Sequence, residues 1–201
     1  MTKDLCNKIP SRVECDELMA RHSMLPNIME HSIQVMNVSL AITDNLKSGV
    51  LINRDLVIAA ALLHDITKTK SLETKEPHDV SGGVLLRELG FPSTADIVEQ
   101  HVIIHNVDLE GRLEEREIVY YADKRVLHDT IVTIEERLND LIQRYGMTEE
   151  LRNLILINRS QVLAVERKIA GFMAIDLHYA IQANISIRGF DGQQNKGQRQ
   201  D

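Results

Sequence analysis

Residues 57–63 read VIAAALL, a stretch apolar on every side of a helix, and the next two residues are His64 and Asp65. A helix with no polar face has to lie inside the molecule, with other helices around it. This one feature sets the plan of the chain: a buried central helix that ends on two polar, metal-competent side chains. An unpaired carboxylate is costly to bury, so something must satisfy it. A metal ion is one answer. The other is an Asp capping the next turn beside a His bonded to backbone, and for an isolated His-Asp pair that plainer answer is the better one.

The helical period runs through almost the whole chain. Ser11 and Glu14 form a capping-box pattern after Pro10 and open a first short helix. Pro26 opens a second, with Ile28, Val35, Met36 and Leu40 on one broad apolar face. Asn53 caps the central helix, expected from Arg54 to about Ile66. Beyond a charged loop, a fourth helix is expected near His78 to Leu89, stopped by Gly90 with Pro92 after it. Ser93 with Asp96 opens a fifth that runs to about Ile104, and Glu114 to Asp129 reads as a sixth. Thr130 to Tyr145, closed by Gly146, and Thr148 to about Ala183 read as a C-terminal hairpin. No period-2 strand pattern and no sustained heptad is present, so the expected fold class is all-α, a compact helical bundle with a C-terminal helical hairpin. Residues 1–185 are expected to form a single domain, and the Gly- and Gln-rich residues 186–201 a disordered tail.

Composition excludes several functions. A formal net charge of −7 argues against a broad phosphate-neutralising surface, and 3% aromatic residues with no Trp leave few base-stacking platforms. Extended nucleic-acid binding is therefore not expected. Cys6 and Cys15 are too few and too local for a disulfide framework and read as reduced thiols. No apolar run approaches the length that crosses a bilayer, so the expectation is a cytoplasmic protein without a membrane anchor. The unusual count is histidine, with eight copies.

Four of these fall into an ordered constellation. His31 lies on the helix before the His64-Asp65 pair, His78 at the start of the helix after it, His101 on the fifth helix and Asp123 on the sixth. Each has apolar neighbours that turn it inward, such as Met29 and Ile33 around His31, or Val119 and Val126 around Asp123. Four His and two Asp converging this way make a two-metal site whose nitrogen and oxygen ligands suit iron, manganese or zinc better than calcium.

The order His31, His64-Asp65, Asp123 resembles the H…HD…D signature of the HD superfamily of metal-dependent phosphohydrolases, and ALLHDITK is similar to the HDIG variant of its central motif. The resemblance runs from about Ser23 to Arg125. It implies one metal held by His31, His64, Asp65 and Asp123, and a second held by a bridging Asp65 with His78 and His101. It also implies two divalent transition-metal ions, with iron or manganese ahead of zinc. The chain departs from the pattern in three places. Thr67 stands where HDIG has Gly, no GYP follows, and the adjacent histidine pair of cyclic-dinucleotide phosphodiesterases is absent. His105 instead lies four residues after His101, on one face if the helix continues.

The expected function is hydrolysis of a phosphomonoester, phosphodiester or phosphoanhydride of a small molecule, a nucleotide first of all, through attack of a metal-bridging hydroxide. Two divalent ions against two carboxylates leave the site cationic, which attracts such an anion. Asp65 and Lys68 are the expected catalytic residues, Lys68 matching the lysine of HDIGK-type motifs; the plainer reading of Lys68 is a solvated lysine. Lys124, Arg125, Arg112 and Arg116 are weaker candidates for a phosphate entrance, and His22, His128 and His178 are assigned to surface or satisfied interior positions. Substrate choice is expected to depend on loops 68–77 and 106–114. Two alternatives share the fold, a di-iron oxygenase and a non-catalytic sensing module. The sequence leaves self-association into a homo-oligomer open.

Overall fold

The computed structural model describes residues 8–183. Cys6 and the expected disordered tail at 186–201 lie outside them. Helices dominate: α1 (Arg12–Arg21), α2 (Pro26–Thr43), α3 (Arg54–Leu63), α4 (Lys68–Thr74), α5 (His78–Glu88), α6 (Pro92–Val98), α7 (Glu115–Lys124), α8 (Ile134–Tyr145) and α9 (Glu149–Phe172). The fold class is all-α apart from one two-stranded antiparallel hairpin, β1 (Val126–Leu127) and β2 (Thr130–Ile131). Among the described residues no helix is long and apolar enough to cross a membrane.

The α3 helix is the centre of the bundle. Val57 and the run Ala59 to Leu63 are each 0% exposed, and α1, α2, α6 and α7 pack around them. Burying side chains such as Leu62 and Leu63 contributes on the order of 1.5–3 kcal/mol each. The start of α3 is capped as its sequence suggests, with the Asn53 side chain accepting the Leu56 N–H at 3.1 Å. Its end comes at Leu63, three residues short of the expected Ile66, and the chain turns through 64–67 with the Ile66 N–H bonded to the Leu63 carbonyl. That early turn places His64 and Asp65 at the core's edge instead of in a helix interior.

The other differences from expectation have physical causes. The charged loop after Thr67 coils into α4, an extra short helix that ends on Lys75 at φ 63°. The fifth helix stops at Val98, so His101 sits in the irregular segment beyond it, and the helical pairing of His101 with His105 does not form. His105 is exposed. The sixth helix stops at Lys124, because Arg125 turns the chain into the hairpin and clamps it: its Nε donates to the Val132 carbonyl while its own carbonyl accepts the Val132 N–H. The last helix breaks at Met173, where the backbone switches to pairing with residues 45–47 through Lys47 N–H to the Phe172 carbonyl and Ala174 N–H to the Asn45 carbonyl. Helix resumes at 177–183.

The expected C-terminal hairpin is present as α8 packed on α9, and α9 also crosses α7. That crossing is polar as well as apolar. Tyr120 donates to Asn158 Oδ1 at 2.6 Å, Tyr121 donates to Glu166 at 2.7 Å, and Lys168 forms a buried ion pair with Glu117 at 2.7 Å.

Candidate metal centre

The six residues that the sequence singles out come together at one place, where α2, the turn after α3, the start of α5, the segment after α6 and the end of α7 meet. His31 Nε2 lies 3.0 Å from Asp123 Oδ1, and His64 Nε2 lies 3.7 Å from the same oxygen and 3.4 Å from Asp65 Oδ2. On the other side of Asp65, its Oδ1 is 3.2 Å from His78 Nε2 and 3.5 Å from His101 Nε2. The two imidazole nitrogens of His78 and His101 are 3.2 Å apart. The ligand-competent atoms thus form two clusters, His31–His64–Asp65 and Asp65–His78–His101, which share Asp65.

Backbone carbonyls set the tautomers. His64 Nδ1 faces the Ala61 carbonyl at 2.8 Å, His101 Nδ1 the Val98 carbonyl at 2.7 Å, and His31 Nδ1 the His128 carbonyl at 2.8 Å. A ring nitrogen in front of a carbonyl must be an N–H, so each of these three imidazoles turns its Nε2 toward the centre, where it carries a lone pair whenever the ring is neutral. This is the orientation that metal-ligating histidines take. The fit to cations also shows in what is left unpaired: His64 Nε2 and Asp65 Oδ1 are buried without a hydrogen-bond partner. Orphaned buried groups are expensive, and an ion between the clusters would satisfy both.

The electrostatics agree. Burial opposes a charge on Asp65, yet His64 and Lys68 hold its carboxyl well below the usual carboxylate range, and the carboxylates of Asp65 and Asp123 in turn raise His64 against its own burial. Asp123 is likewise disfavoured by burial but held low by Lys124, His31 and His64. Burial pushes His101 down to about 4 despite the pull of Asp65. Both carboxylates are therefore ionised and His101 is neutral at physiological pH, the protonation states in which these groups bind metal.

Two lysines complete the centre. Lys68, the first residue of α4, donates from Nζ to Asp65 Oδ2 at 2.7 Å and is about a third exposed, its side chain at 36%. Lys124 is buried and donates to Asp123 Oδ2 at 2.6 Å and to the His101 carbonyl at 2.7 Å. Of the pair Lys124 and Arg125, Lys124 is the one that faces the site. Arg125 is buried on the other side, against Tyr121, Val132 and His178. The same contact gives His178 a partner.

Thr67 has a local task. Its hydroxyl donates to the His78 carbonyl at 2.8 Å and lies 2.9 Å from the Ser81 hydroxyl, which ties the first turn of α5 to the turn after α3. At Gly82, one turn further, a Cβ would meet Val98 Cγ1 at 3.0 Å, so glycine lets α5 lie close to α6. His78 is held in reach of Asp65 by these two features.

A cleft of about 340 Å³ opens on the centre, with Lys68, His78, His101, Asp123 and Lys124 at its floor. Its walls are not the expected loops. They come from Arg137, Leu141, Arg144 and Tyr145 on α8 and from Ile155 and Asn158 on α9. Arg112 and Arg116 line a separate shallow depression instead, and Arg116 is committed to the carbonyls of His105 and Asn106. In the sequence, Arg137 and Arg144 look like ordinary charges on an amphipathic helix. Their seven-residue spacing, two turns apart on one face, is the one signal that pairs them.

A model of the HD-domain family matches residues 28–153. The chain belongs to the HD-domain family. The matched span holds all six clustered residues and runs through α8. An uncharacterised protein of Methanocaldococcus jannaschii is 25% identical over 147 residues, covering 66% of this chain and 86% of that protein. The dihydroneopterin 2′,3′-cyclic phosphate phosphodiesterase of the same organism is 42% identical over 147 residues, covering 64% of this chain and 57% of that enzyme. Ribonuclease Y of Thermoanaerobacter pseudethanolicus is 26% identical over 171 residues, covering 85% of this chain and 29% of that enzyme. The match thus spans only part of the two relatives whose names state an activity. No solved structure gives a significant match. HD-domain membership, phosphodiester-cleaving relatives and a His/Asp cluster that suits divalent metal together support hydrolase activity.

Proposed function

We propose that the chain is a metal-dependent phosphohydrolase of a small phosphorylated molecule, a nucleotide or nucleotide-like compound. The observation that carries this reading is the pair of clusters sharing Asp65, with His64 Nε2 and Asp65 Oδ1 buried and unpartnered. In it, His31, His64, Asp65 and Asp123 hold one divalent ion, and Asp65, His78 and His101 hold a second. Iron or manganese fits this nitrogen and oxygen set, with zinc as the alternative.

When bound, such ions polarise a phosphoryl oxygen and acidify water to a nucleophile near neutral pH. The chain's own residues do the rest. Carbonyls 61, 98 and 128 keep three imidazoles in one tautomer, and Asp65 is kept ionised by its cationic neighbours. Lys68 steadies Asp65 through Oδ2 and reaches the cleft floor, where its ammonium faces an incoming phosphate. The 340 Å³ cleft suits a small molecule.

The test is metal analysis of protein purified without chelators, together with turnover on nucleotides, 2′,3′-cyclic nucleotides among them, under anaerobic conditions with manganese or iron(II). Two metal equivalents, falling to about one in His78→Ala, and phosphate ester cleavage without oxygen are expected. Absence of cleavage across metals and substrates overturns the reading, and a strict need for oxygen would make the chain an oxygenase.

A further inference from the structure

The charges on α8 do not balance. Arg137 and Arg144 both pair with the single carboxylate of Asp140, Arg137 from Nη1 at 3.1 Å and Arg144 through Nη2. The two carry one positive charge more than Asp140 neutralises, and Arg144 also lies near the Tyr145 ring, its Cζ 5.8 Å from the ring centroid. Arg137 is the inner of the pair, with its side chain only 14% exposed, and its Nε is buried with no hydrogen-bond partner. A guanidinium offers five N–H groups in a planar fork that matches a phosphoryl group. Here most of that fork is unused, and it lines the same cleft as His78, His101 and Asp123.

The space around Arg137 has a second character. Five residues of the cleft, Lys124, Arg137, Leu141, Ile155 and Asn158, also border a small pocket of about 50 Å³ that continues between α8 and α9 over Leu138 and Val162. Its walls are mainly apolar. Tyr145, at the end of α8, also lines the cleft and is 55% exposed. The Arg137 guanidinium, an apolar side wall and an exposed tyrosine are therefore arranged along one short groove.

We propose that Arg137 binds a phosphoryl group of the substrate and that Tyr145 with the α8–α9 wall receives a flat ring carried by the same molecule, so that the substrate is a small phosphorylated molecule with a planar ring system. This rests on the hydrolase reading above and names its substrate class. A guanidinium fork on a phosphoryl group adds charge-assisted bonds that a remote surface arginine does not. The ring of Tyr145 adds contact area to the planar body and nothing to the phosphate. The two residues should consequently separate in experiment. A polynucleotide would need a cationic track beyond the cleft, which a net charge of −7 does not favour.

The test uses manganese-loaded protein and two probes, inorganic phosphate and an adenine nucleoside phosphonate, which has no ester to cleave. Calorimetry gives affinity, and metal content is measured on the same samples. The unmutated protein is expected to bind the phosphonate about tenfold or more tightly than phosphate. Arg137→Gln should weaken both probes about tenfold or more with metal content unchanged. Tyr145→Ala should weaken the phosphonate and leave phosphate alone. Asp140→Asn removes the competing carboxylate and should tighten phosphate severalfold, a gain that misfolding cannot produce. Phosphate affinity indifferent to both Arg137→Gln and Asp140→Asn in metal-loaded, active protein overturns this inference and leaves the hydrolase reading standing. A phosphonate that binds no better than phosphate, or ignores Tyr145→Ala, overturns the planar-body assignment. Unmutated protein that takes up no metal and cleaves no ester overturns both.

Discussion

The carbonyl of His128 lies 2.8 Å from Nδ1 of His31, across 97 positions of chain, and His128 reaches that place with φ at 57°. The hairpin turn between β1 and β2 thus delivers a backbone acceptor to a residue on α2. The imidazole of His128 plays no part in this contact. Positive φ is tolerated by Gly and disfavoured for β-branched residues, at a cost of roughly 1–2 kcal/mol. His128→Gly is accordingly expected to keep full metal content, and His128→Val to lose metal from the cluster that contains His31. Metal analysis after dialysis against a weak chelator checks this, and equal loss in both variants would show that the side chain matters.

Thr67 ties His78 to the centre through its hydroxyl. Thr67→Val keeps the shape and removes the bond, so the expected loss of stability is about 1 kcal/mol. The larger effect should fall on the ion proposed for the His78 cluster, with affinity down by roughly tenfold or more, as for other residues that orient a ligand. Thr67→Ser should restore it. Stepwise metal titration separates the two ions, and an equal loss at both would count against a local role for the hydroxyl.

What was readable in the sequence is what depends on neighbours along the chain. The capping box of Ser11 and Glu14 forms as its spacing implies, Asn53 caps α3, and VIAAALL is the buried centre. His64 and Asp65 were legible because a dyad at the end of such a helix needs a partner. The sequence singles out His101 but puts it on a helix, since the Val98 stop has no Gly or Pro to announce it. The break at Met173 arises from backbone pairing with residues 45–47, and no local pattern near 173 records that. Arg137 and Tyr145 join the cleft only because α8 folds back over the centre. The carbonyls of Ala61, Val98 and His128 leave no trace in residue type at all.

The ion pair between Glu117 and Lys168 joins α7 to α9 behind the centre. Glu117 is 0% exposed; its Oε1 takes Lys168 and its Oε2 accepts the Glu114 N–H that starts α7. Lys168 also donates to the Asp108 carbonyl at 2.8 Å. Removing one member leaves the other charge buried alone, which costs about 3–5 kcal/mol. Lys168→Met is expected to lower stability by that amount, and the double variant Glu117→Gln with Lys168→Met by clearly less than the sum of the two single changes. Urea unfolding provides the comparison, and strict additivity would mean that the pair is not coupled.

Cys15 gives a pH dependence outside the candidate metal centre. It is 0% exposed, and burial pushes its thiol up from an ordinary 9.0 to about 12. The folded chain therefore holds this proton more tightly than the unfolded chain does. The resulting stabilisation is fully present below pH 9.0 and is lost as pH rises toward about 12. Cys15→Ala lacks this titration, so its deficit against the unmutated protein should be constant up to about pH 9 and then shrink, by at most about 1.4 kcal/mol per pH unit. Native alkylation near pH 8.5 should also leave Cys15 unlabelled, since the buried thiol carries almost no thiolate there. Denaturant melts of both proteins across pH 7–10.5, with peptide mapping of the alkylated samples, check the two expectations together; a constant deficit or rapid labelling of Cys15 would place the thiol at the surface.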